Sequence, residues 1–313
     1  MPSDRDRNCG EMSMSEILLE LRNVSFTYEG ETKASLQNIN LQIKKGKKIA
    51  VMGANGSGKS TLFLCCNGIH RPDEGGVYFH SEPVDYSRKG LLKLRKGVGI
   101  VFQDPDNQLF SASVYQEISF GACNIGMSEE EAKEAVEDVM EHLEITPFRE
   151  RPTHALSGGQ KKQVSIADIL VMKPEMIIMD EPGASLDPRH TRMVNRIMER
   201  MTEEGITVLL ATHDMDYAYA WADEIVLMHQ GRILKQGTPL QVCSDREALY
   251  KTNLEPPMVL RMYEMLCHKG ILKEGKYPPK SMDILLKQME EEDGDEERDS
   301  DGQLRDQSPG YAG

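Results

Sequence analysis

The sequence predicts an α/β fold with a parallel-sheet core and an antiparallel β subdomain in front of it. Five short, unbroken apolar runs predict strands buried on both faces, as is usual in parallel sheets. They are residues 49–52, 98–102, 176–179, 208–211 and 225–228. Helical patterns separate these runs, which is the alternation of an α/β protein. Two earlier stretches, 19–28 and 39–43, alternate apolar with other residues and predict half-buried antiparallel strands.

Local signals add a helix and a hairpin to this plan. Ser128 can cap a helix in which Glu131 stands three residues later. Its apolar face is formed by residues 136, 139, 140 and 143, so we expect a solvated helix with one side toward the core. Residues 229–231 separate two apolar runs and predict a hairpin late in the sheet.

The composition is that of a folded protein with one acidic end. Of 313 residues, 39% are hydrophobic and 28% charged, which is enough apolar material for a core. The 37 basic and 51 acidic side chains give a formal charge of −14. Residues 290–306 hold ten acidic and two basic side chains, so this segment carries −8 of that charge. A basic footprint for nucleic acid is missing, and we expect no nucleic-acid partner.

The sequence gives no signal for export or membrane insertion. The longest charge-free stretches, 60–70 and 118–128, span 11 residues each, whereas a bilayer needs about 18 or more. The first ten residues lack the apolar region of a signal peptide. The six cysteines show no C-x-x-C spacing, so we expect reduced thiols in the cytosol.

The strongest chemical signal is the stretch 53–60, GANGSGKS, which matches the phosphate-binding pattern G-x-x-x-x-G-K-[ST]. A buried strand precedes it and a helix can begin at 61–66, so a chance glycine-rich turn is the weaker interpretation. Lys59 would reach the β- and γ-phosphates of a nucleotide, and the Ser60 hydroxyl would ligate Mg²⁺. Backbone N–H groups at the helix N-terminus would surround phosphate oxygens. The other residues predicted to bind the nucleotide are Gly53, Asn55, Gly56, Ser57, Gly58 and Thr61.

Two carboxylates end the apolar run 176–179. Asp180 suits Mg²⁺, and Glu181 suits a base that polarises a water for attack on the γ-phosphate. Alone, such a pair is as often a simple strand-end turn. Because Asp180 stands 120 residues after Ser60 in the same predicted sheet, we favour the catalytic interpretation.

A third motif is LSGGQ at 156–160, which opens a helical stretch. Ser157, Gly158 and Gly159 at a helix start can form a second anion-binding cradle, and Gln160 completes the motif. In isolation the motif would be interpreted as a capped helix. Here it lies between a phosphate loop and a strand that ends in two carboxylates. In this order the motifs resemble those of the ATP-binding-cassette (ABC) ATPases, and the resemblance covers residues 17–242.

The resemblance implies roles for four further positions. Gln103 matches the glutamine loop, which in the family senses Mg²⁺ and nucleotide and faces a membrane partner. Asp187 matches the loop that communicates across a dimer, and His213 matches the switch histidine that contacts the γ-phosphate. Tyr28 matches the aromatic residue that stacks on adenine. Two plainer readings stay open, namely a core position for Tyr28 and an ordinary strand-end position for His213.

The implied mechanism is shared between two subunits. In the family, two cassettes meet head to tail, and each ATP lies between the phosphate loop of one and the LSGGQ motif of the other. The implied cofactors are ATP and Mg²⁺. The implied catalytic residues are Glu181, His213, Lys59 and Gln103, and the implied metal ligands are Ser60, Gln103 and Asp180. Two positions depart from the family pattern: Gly183, where Thr or Ser is usual, and Gln163, where Arg is common.

Finer likeness points to one branch of the family. Only 53 residues separate Gln103 from Leu156, which leaves no room for a long inserted coiled coil. The stretches 98–121, with Gln108 in DPDNQLF, and 212–239 resemble ATPase subunits of energy-coupling-factor (ECF) transporters, especially those of cobalt transporters. This resemblance implies a second ABC ATPase subunit, identical or related, a membrane coupling protein and a substrate-binding membrane component. It also implies a peripheral position at the cytoplasmic face of the cell membrane.

Alternatives to this assignment stay open. The substrate follows from the resemblance alone, so nickel and vitamin importers are alternatives to a cobalt importer. A soluble, nucleotide-gated regulatory ABC ATPase is an alternative from another class.

The predicted domain plan has four parts. Residues 1–15 form a flexible leader, and 16–244 form the ABC ATPase domain, with a small helical subdomain at about 104–165. Residues 245–289 form a C-terminal helical appendix that helps the cassettes to dimerise. It holds one helix after the prolines at 256–257, closed by Gly270, and another at 282–289. Residues 290–313 form an acidic, disordered tail.

Overall fold

The computed structural model of the protein describes residues 16–275 and 277–291. The predicted leader at 1–15 lies outside the described residues, as does the predicted acidic tail from 292 onward. Within the described residues, ten strands, ten α-helices with defined bounds and a further helical segment at 282–291 follow one another. The strands are β1 Ile17–Phe26, β2 Leu36–Lys44, β3 Lys48–Met52, β4 Glu74–Phe79, β5 Glu82–Pro83, β6 Val98–Val101, β7 Met176–Asp180, β8 Thr207–Ala211, β9 Glu224–His229 and β10 Arg232–Gly237. The helices are α1 Lys59–Cys66, α2 Arg88–Gly97, α3 Val114–Asn124, α4 Glu129–His142, α5 Gly158–Leu170, α6 Pro188–Glu203, α7 Met215–Trp221, α8 Pro239–Cys243, α9 Arg246–Lys251 and α10 Met258–His268.

The core sheet has the order β10-β9-β3-β8-β7-β6, and all its neighbouring strands are parallel except the terminal hairpin. All five predicted apolar runs are strands of this sheet. Each is covered on both faces, because alternate residues enter two different apolar clusters. In β3, for example, Ala50 and Met52 join one cluster while Ile49 and Val51 join the other. The predicted hairpin at 229–231 is confirmed, since it joins β9 to β10.

The second sheet is antiparallel, with the order β2-β1-β4-β5. The predicted pairing of the first two strands is confirmed, with Leu21 opposite Leu41. Between Leu21 and Val24 the register shifts, and Asn23 has φ 51°. This bulge explains why the apolar alternation breaks at that point. The strand ends at Phe26, so Tyr28 lies beyond it.

Helices α3, α4 and α5 pack on one another beside the core sheet. The predicted cap of α4 is confirmed as a full capping box, in which Ser128 accepts from the Glu131 N–H and the Glu131 carboxylate accepts from the Ser128 N–H. Four residues of the predicted apolar face are buried, namely Val136, Val139, Met140 and Leu143. Helix α5 begins in the same way, with Ser157 and Gln160 as the reciprocal pair.

The chain after the core sheet continues as short helices. The predicted helix after the two prolines is α10, and Gly270, with φ 71°, follows its end. Val259 and Leu260 of α10 are buried in the same apolar cluster as β3, so this helix packs against the main domain. The segment 282–291 is helical, as predicted for 282–289, and its Leu285 is fully buried.

Candidate nucleotide-binding and hydrolytic site

The phosphate loop follows β3 and packs closely against the neighbouring strand β9 and against the residue before β2. A Cβ on Gly53 (φ 149°) would lie 2.3 Å from the Met228 carbonyl oxygen, and one on Gly58 (φ 106°) would lie 2.8 Å from the Ser35 carbonyl oxygen. Both positions need the backbone freedom and the small size of glycine. Helix α1 begins at Lys59, two residues before the predicted start. Its N-terminus therefore faces the loop.

Lys59 is folded back over this loop. Its side chain is 6% exposed, and Nζ donates to the carbonyl oxygens of Gly53 at 2.8 Å and Ala54 at 3.3 Å. Burial lowers the pKa of Lys59, while the nearby carboxylates of Glu181 and Asp180 act in the opposite direction. An ammonium group held among backbone carbonyls and carboxylates is able to turn toward an anion that enters the cleft.

The cleft over the loop has a volume of about 460 Å³. Its lining includes residues predicted to bind the nucleotide and three predicted catalytic residues, with Lys59 in both groups. They are Tyr28, Asn55, Gly56, Gly58, Lys59, Ser60, Thr61, Gln103 and Glu181. Ser57 lies in the same loop, and its hydroxyl is buried without a hydrogen-bond partner among the residues that the structure describes. A buried, unpaired hydroxyl is costly. A bound phosphate oxygen would satisfy it, so the loop fits a nucleotide.

Ser60, which lines the cleft, contacts Asp180. The Ser60 hydroxyl donates to the carboxylate of Asp180, which ends β7. Burial raises the pKa of Asp180, whereas the hydrogen bond from Ser60 and the ammonium groups of Lys59 and Lys162 act against that shift. A hydroxyl oxygen beside a carboxylate suits Mg²⁺, which binds few protein ligands and takes the rest from phosphate and water. The donor set therefore fits this ion.

Glu181 is placed by two neighbouring parallel strands of the core sheet, β7 and β8. It follows β7, and its N–H donates to the Ala211 carbonyl oxygen of β8 at 3.1 Å. Its φ of 44° is unusual for a residue other than glycine, and such backbone strain often marks functional positions. Its Oε1 lies 2.5 Å from Nε2 of His213, and its Oε2 accepts from Nε2 of Gln103 at 3.4 Å. Three predicted catalytic residues thus meet at one carboxylate.

Tyr28 lies on the outer wall of the cleft. Its hydroxyl is 3.2 Å from Oγ1 of Thr61, and its ring stands edge-on to those of Phe26 and His70. Half-buried and not part of the core, it borders the nucleotide cleft. Its predicted stacking on adenine stays a prediction.

The LSGGQ segment does not line this cleft within the described parts of the chain. Ser157 and Gly158 are exposed, and the Gln160 side-chain oxygen accepts from the Ser157 N–H at 3.1 Å. The capped helix of the plainer interpretation is therefore present. Capping leaves the first N–H groups of α5 pointing outward, so the arrangement is also compatible with binding an anion on another molecule.

Asp187 lies outside the cleft as well and caps α6. Its carboxylate accepts from the backbone N–H groups of Arg189 and His190 and lies 2.6 Å from Nδ1 of His190. These hydrogen bonds, first that from the His190 backbone, lower the pKa of Asp187. The His190 ring packs on Gly159, where an added Cβ would lie 1.9 Å from the ring. His190 therefore contacts both Asp187 and Gly159 of the LSGGQ segment.

Two polar residues behind the cleft lie outside the predicted site. Lys162 of α5 is 1% exposed and donates to carbonyl oxygens at the end of β6. Gln108 bonds the same region to α5. The only sequence signal for Gln108 is the family likeness of DPDNQLF, and Lys162 stands in a run of polar residues that gives no apolar periodicity.

The fold and the phosphate loop together define a P-loop nucleoside triphosphatase. Comparison with known proteins gives the same class. The family described as ABC transporter matches residues 36–184. A putative ABC transporter ATP-binding protein of Clostridium perfringens is 45% identical over 257 residues, which are 82% of this chain and 90% of the relative. The energy-coupling factor transporter ATP-binding protein EcfA of Methanocaldococcus jannaschii is 42% identical over 80% of this chain and 90% of its own length.

Solved structures agree with these relatives. The structure of cbiO1 from Clostridium perfringens, part of the ABC transporter complex cbiONQ, is 43% identical, with a TM-score of 0.67. The match covers 80% of this chain and 99% of that one. A bacterial ABC transporter cassette solved as a dimer is 28% identical, with a TM-score of 0.65 over 71% of this chain and 99% of that one.

This chain belongs to the ABC transporter ATPases, as an ATP-binding protein of the energy-coupling factor type. The predicted family and fold are therefore confirmed. Among the described residues, the structure contains no helix that is both long and apolar enough to cross a bilayer.

Proposed function

We propose that the protein hydrolyses Mg-ATP as one cassette of a dimer and that this cycle powers substrate uptake through an ECF importer, in which a membrane component selects the substrate. The observation that carries the proposal is the contact of Glu181 with both His213 and Gln103 at the mouth of the Lys59 cleft. A base, a histidine and an amide at one point beside a phosphate loop suit attack of water on a terminal phosphate.

Each residue of the cleft has a defined task in this proposal. Lys59 and the loop N–H groups bind the phosphates, and the Ser57 hydroxyl adds a donor from the loop. Glu181 accepts a proton from the attacking water, while His213 keeps the carboxylate oriented and faces the γ-phosphate. Ser60, Asp180 and Gln103 would hold Mg²⁺, which when bound neutralises charge on the phosphates. Positioning and charge stabilisation account for most of such catalysis.

The dimer follows from where the LSGGQ segment lies. Ser157, Gly158, Gly159 and Gln160 are outside the chain's own cleft but are accessible at the end of α5, apart from the packed Gly159. We propose that they bind the nucleotide held by a second cassette, with Asp187 at the shared interface. A related cassette was solved as a dimer, which supports a cassette pair. The second subunit is a copy of this chain or a related cassette.

The residues at 245–289 are proposed to strengthen the dimer. Helix α10 buries one side against the main domain and exposes three methionines, Met258, Met262 and Met265, at helical spacing. An exposed apolar stripe of this kind suits a protein partner. It supports the predicted role of the C-terminal helical appendix.

The transport partners and the substrate are proposed from the relatives. We infer a membrane coupling protein and a substrate-binding membrane component, with the ATPase dimer peripheral at the cytoplasmic face of the membrane. Cobalt ion is the proposed substrate because stretches 98–121 and 212–239 resemble the ATPase subunits of cobalt transporters. The structural neighbour cbiO1 is likewise part of an ABC transporter complex, cbiONQ. Nickel and vitamins are the alternatives.

The test is turnover of the Glu181→Gln variant. Purified protein should hydrolyse Mg-ATP, and E181Q should retain ATP while its turnover falls by a factor of about 10² or more, as expected for loss of a general base. The matched control is Glu203→Gln on the exposed end of α6, which should hydrolyse ATP at the unchanged rate. Full turnover in E181Q would remove Glu181 from the mechanism. Recovery of the chain from membranes with two hydrophobic proteins would support the importer, and recovery only as a soluble complex would contradict it.

A further inference from the structure

Lys162 is a buried lysine on the helix that follows the LSGGQ motif. Lys162 is 1% exposed, and its Nζ donates to the carbonyl oxygens of Phe102 and Gln103, each at 2.8 Å. Burial lowers the pKa of Lys162 to about 8, while the carboxylates of Asp104 and Asp180 act against the shift. Burying an ammonium group costs several kcal/mol unless hydrogen bonds and charges compensate it. Here two carbonyl oxygens and two carboxylates supply the compensation.

The two acceptors are neighbours in the chain, just past the end of β6 at Val101. In an extended strand, successive residues face opposite sides. One ammonium group therefore reaches both carbonyl oxygens only where the backbone turns away from the strand direction. The second acceptor belongs to Gln103, whose side-chain amide donates to Glu181 at 3.4 Å. Lys162 thus fixes the backbone from which this amide extends.

Gln108 makes a second link between the same turn and α5. Its Oε1 accepts from the Phe102 N–H at 3.4 Å, and its Nε2 donates to the Ser165 carbonyl oxygen at 2.8 Å and to Oδ2 of Asp168 at 3.2 Å. Helix α5 therefore holds Phe102 on both sides. The Phe102 carbonyl oxygen is bonded directly to Lys162, and the Phe102 N–H is linked to α5 through Gln108. That helix starts at the LSGGQ motif, so the turn at Gln103 cannot shift without breaking contacts to α5.

We propose that Lys162 is a positioning residue for hydrolysis: it holds the turn at Gln103 so that the Gln103 amide reaches Glu181. It thereby ties the helix of the LSGGQ motif to the chain's own hydrolytic carboxylate. This inference rests on the proposed function, because it assigns Lys162 to the ATP hydrolysis described above. Lys162 acts through Gln103 and does not touch the reacting atoms.

The more exposed neighbour, Lys161, offers a matched comparison. Its Nζ lies 2.5 Å from Oδ1 of Asp106, but the Asp106 side chain is 64% exposed. Solvated ion pairs of this kind contribute little to stability. Lys161→Met removes the same ammonium group one residue away without releasing the carbonyl oxygens of the turn.

The experiment is a double-mutant cycle between Lys162→Met and Gln103→Ala, with steady-state ATP hydrolysis by the full-length chain. We expect K162M to lower kcat about 10-fold while KM for ATP changes less than about 3-fold, since the ATP-binding loop is untouched. If Lys162 acts through Gln103, the double variant should be no slower than the slower single variant. K161M should keep the wild-type kcat and KM.

The outcomes separate the inference from the proposed function. A wild-type chain without ATP hydrolysis would overturn the proposed function itself. An active wild type with unchanged kcat in K162M, or with losses that multiply in the double variant, would overturn the role of Lys162 alone. If K162M does not fold, Lys162→Leu replaces it in the same cycle, because leucine also removes the donor to the turn. The same absence of a multiplied loss is then expected.

Discussion

Nε2 of His213 lies 2.5 Å from Oε1 of Glu181. The two residues come from different strands, because Glu181 follows β7 and His213 follows β8 by two residues. Those strands are parallel neighbours, with Asp180 opposite Ala211. Their ends therefore deliver both side chains to one edge of the sheet, beside the phosphate loop after β3. The contact fixes the orientation of the carboxylate before any ligand arrives.

Replacing His213 by alanine should remove this orientation. We expect H213A to lower kcat for ATP hydrolysis about 10²-fold, the low end of what general acid–base groups contribute. ATP affinity, measured by titration with a fluorescent nucleotide, should change less than about 3-fold, since Lys59 and its loop remain. His142→Ala on α4, whose side chain is 44% exposed, is the matched control. Equal turnover in H213A and H142A would contradict the assignment.

Adjacent glycines of the LSGGQ motif should respond differently to alanine. A Cβ on Gly159 would lie 1.9 Å from Cδ2 of His190, whereas one on Gly158 would lie 3.9 Å from the nearest atom of Leu186. We therefore expect G159A to lower the free energy of unfolding by about 1–3 kcal/mol, the usual cost of overpacking. G158A should change it by less than about 0.5 kcal/mol.

Urea unfolding without nucleotide measures the free energy of unfolding of G158A and G159A. In G159A the His190 ring must move, which also disturbs its contact with Asp187. Equal stability of G158A and G159A would show that the ring is not held against Gly159.

Asp168 should make stability depend on pH. Burial raises the pKa of its carboxyl from 3.8 to about 7, with the Gln108 hydrogen bond acting against the shift and the charge of Glu117 reinforcing it. Between these two values the folded state binds the proton and the unfolded state has lost it. The contribution of Asp168 to the free energy of unfolding therefore falls as pH rises from about 4 to about 7.

Asp168→Asn keeps the shape and an acceptor for Gln108 but cannot ionise. Relative to wild type, D168N should gain stability as pH rises and reach a few kcal/mol above pH 7, with about 4 kcal/mol as the upper bound. Urea unfolding at several pH values checks this difference, with Asp138→Asn on the exposed side of α4 as control. A difference between D168N and wild type that is flat over this pH range would refute the raised pKa.

The sequence allowed the core sheet to be predicted because its strands are unbroken apolar runs, a signal that depends only on burial. The capping boxes at Ser128 and Ser157 are equally local. Strands β4 and β5 lay outside the prediction because Glu74–Phe79 begins with exposed or half-buried residues and two glycines, and Glu82–Pro83 is two residues long. Their pairing depends on β1 rather than on their own composition.

For the site, motifs placed the phosphate loop and the carboxylates, but not the contacts between distant segments. Lys162 donates to the carbonyl oxygen of Phe102, in a turn 60 residues earlier in the chain. Its burial comes from the packing of α5 on β6 and not from any periodicity in a polar run. Such a residue becomes visible only when the fold brings the two segments together.

Gly183 stands where Thr or Ser is usual in this family, and the structure predicts that the protein tolerates a serine at this position. A Cβ there would lie 3.4 Å from Cγ2 of Thr191, at the edge of ordinary van der Waals contact. We expect Gly183→Ser to change the free energy of unfolding by less than about 0.5 kcal/mol, as for most substitutions outside the core. Its kcat for ATP hydrolysis should stay within about 3-fold of wild type, because position 183 does not line the Lys59 cleft.

Gly53→Ala is the contrasting variant: its Cβ would lie 2.3 Å from a backbone oxygen at φ 149°, so it should lose ATP binding. Thermal unfolding and steady-state hydrolysis measured side by side decide the matter, and a G183S protein as impaired as G53A would mean that the space beside Thr191 is needed for turnover.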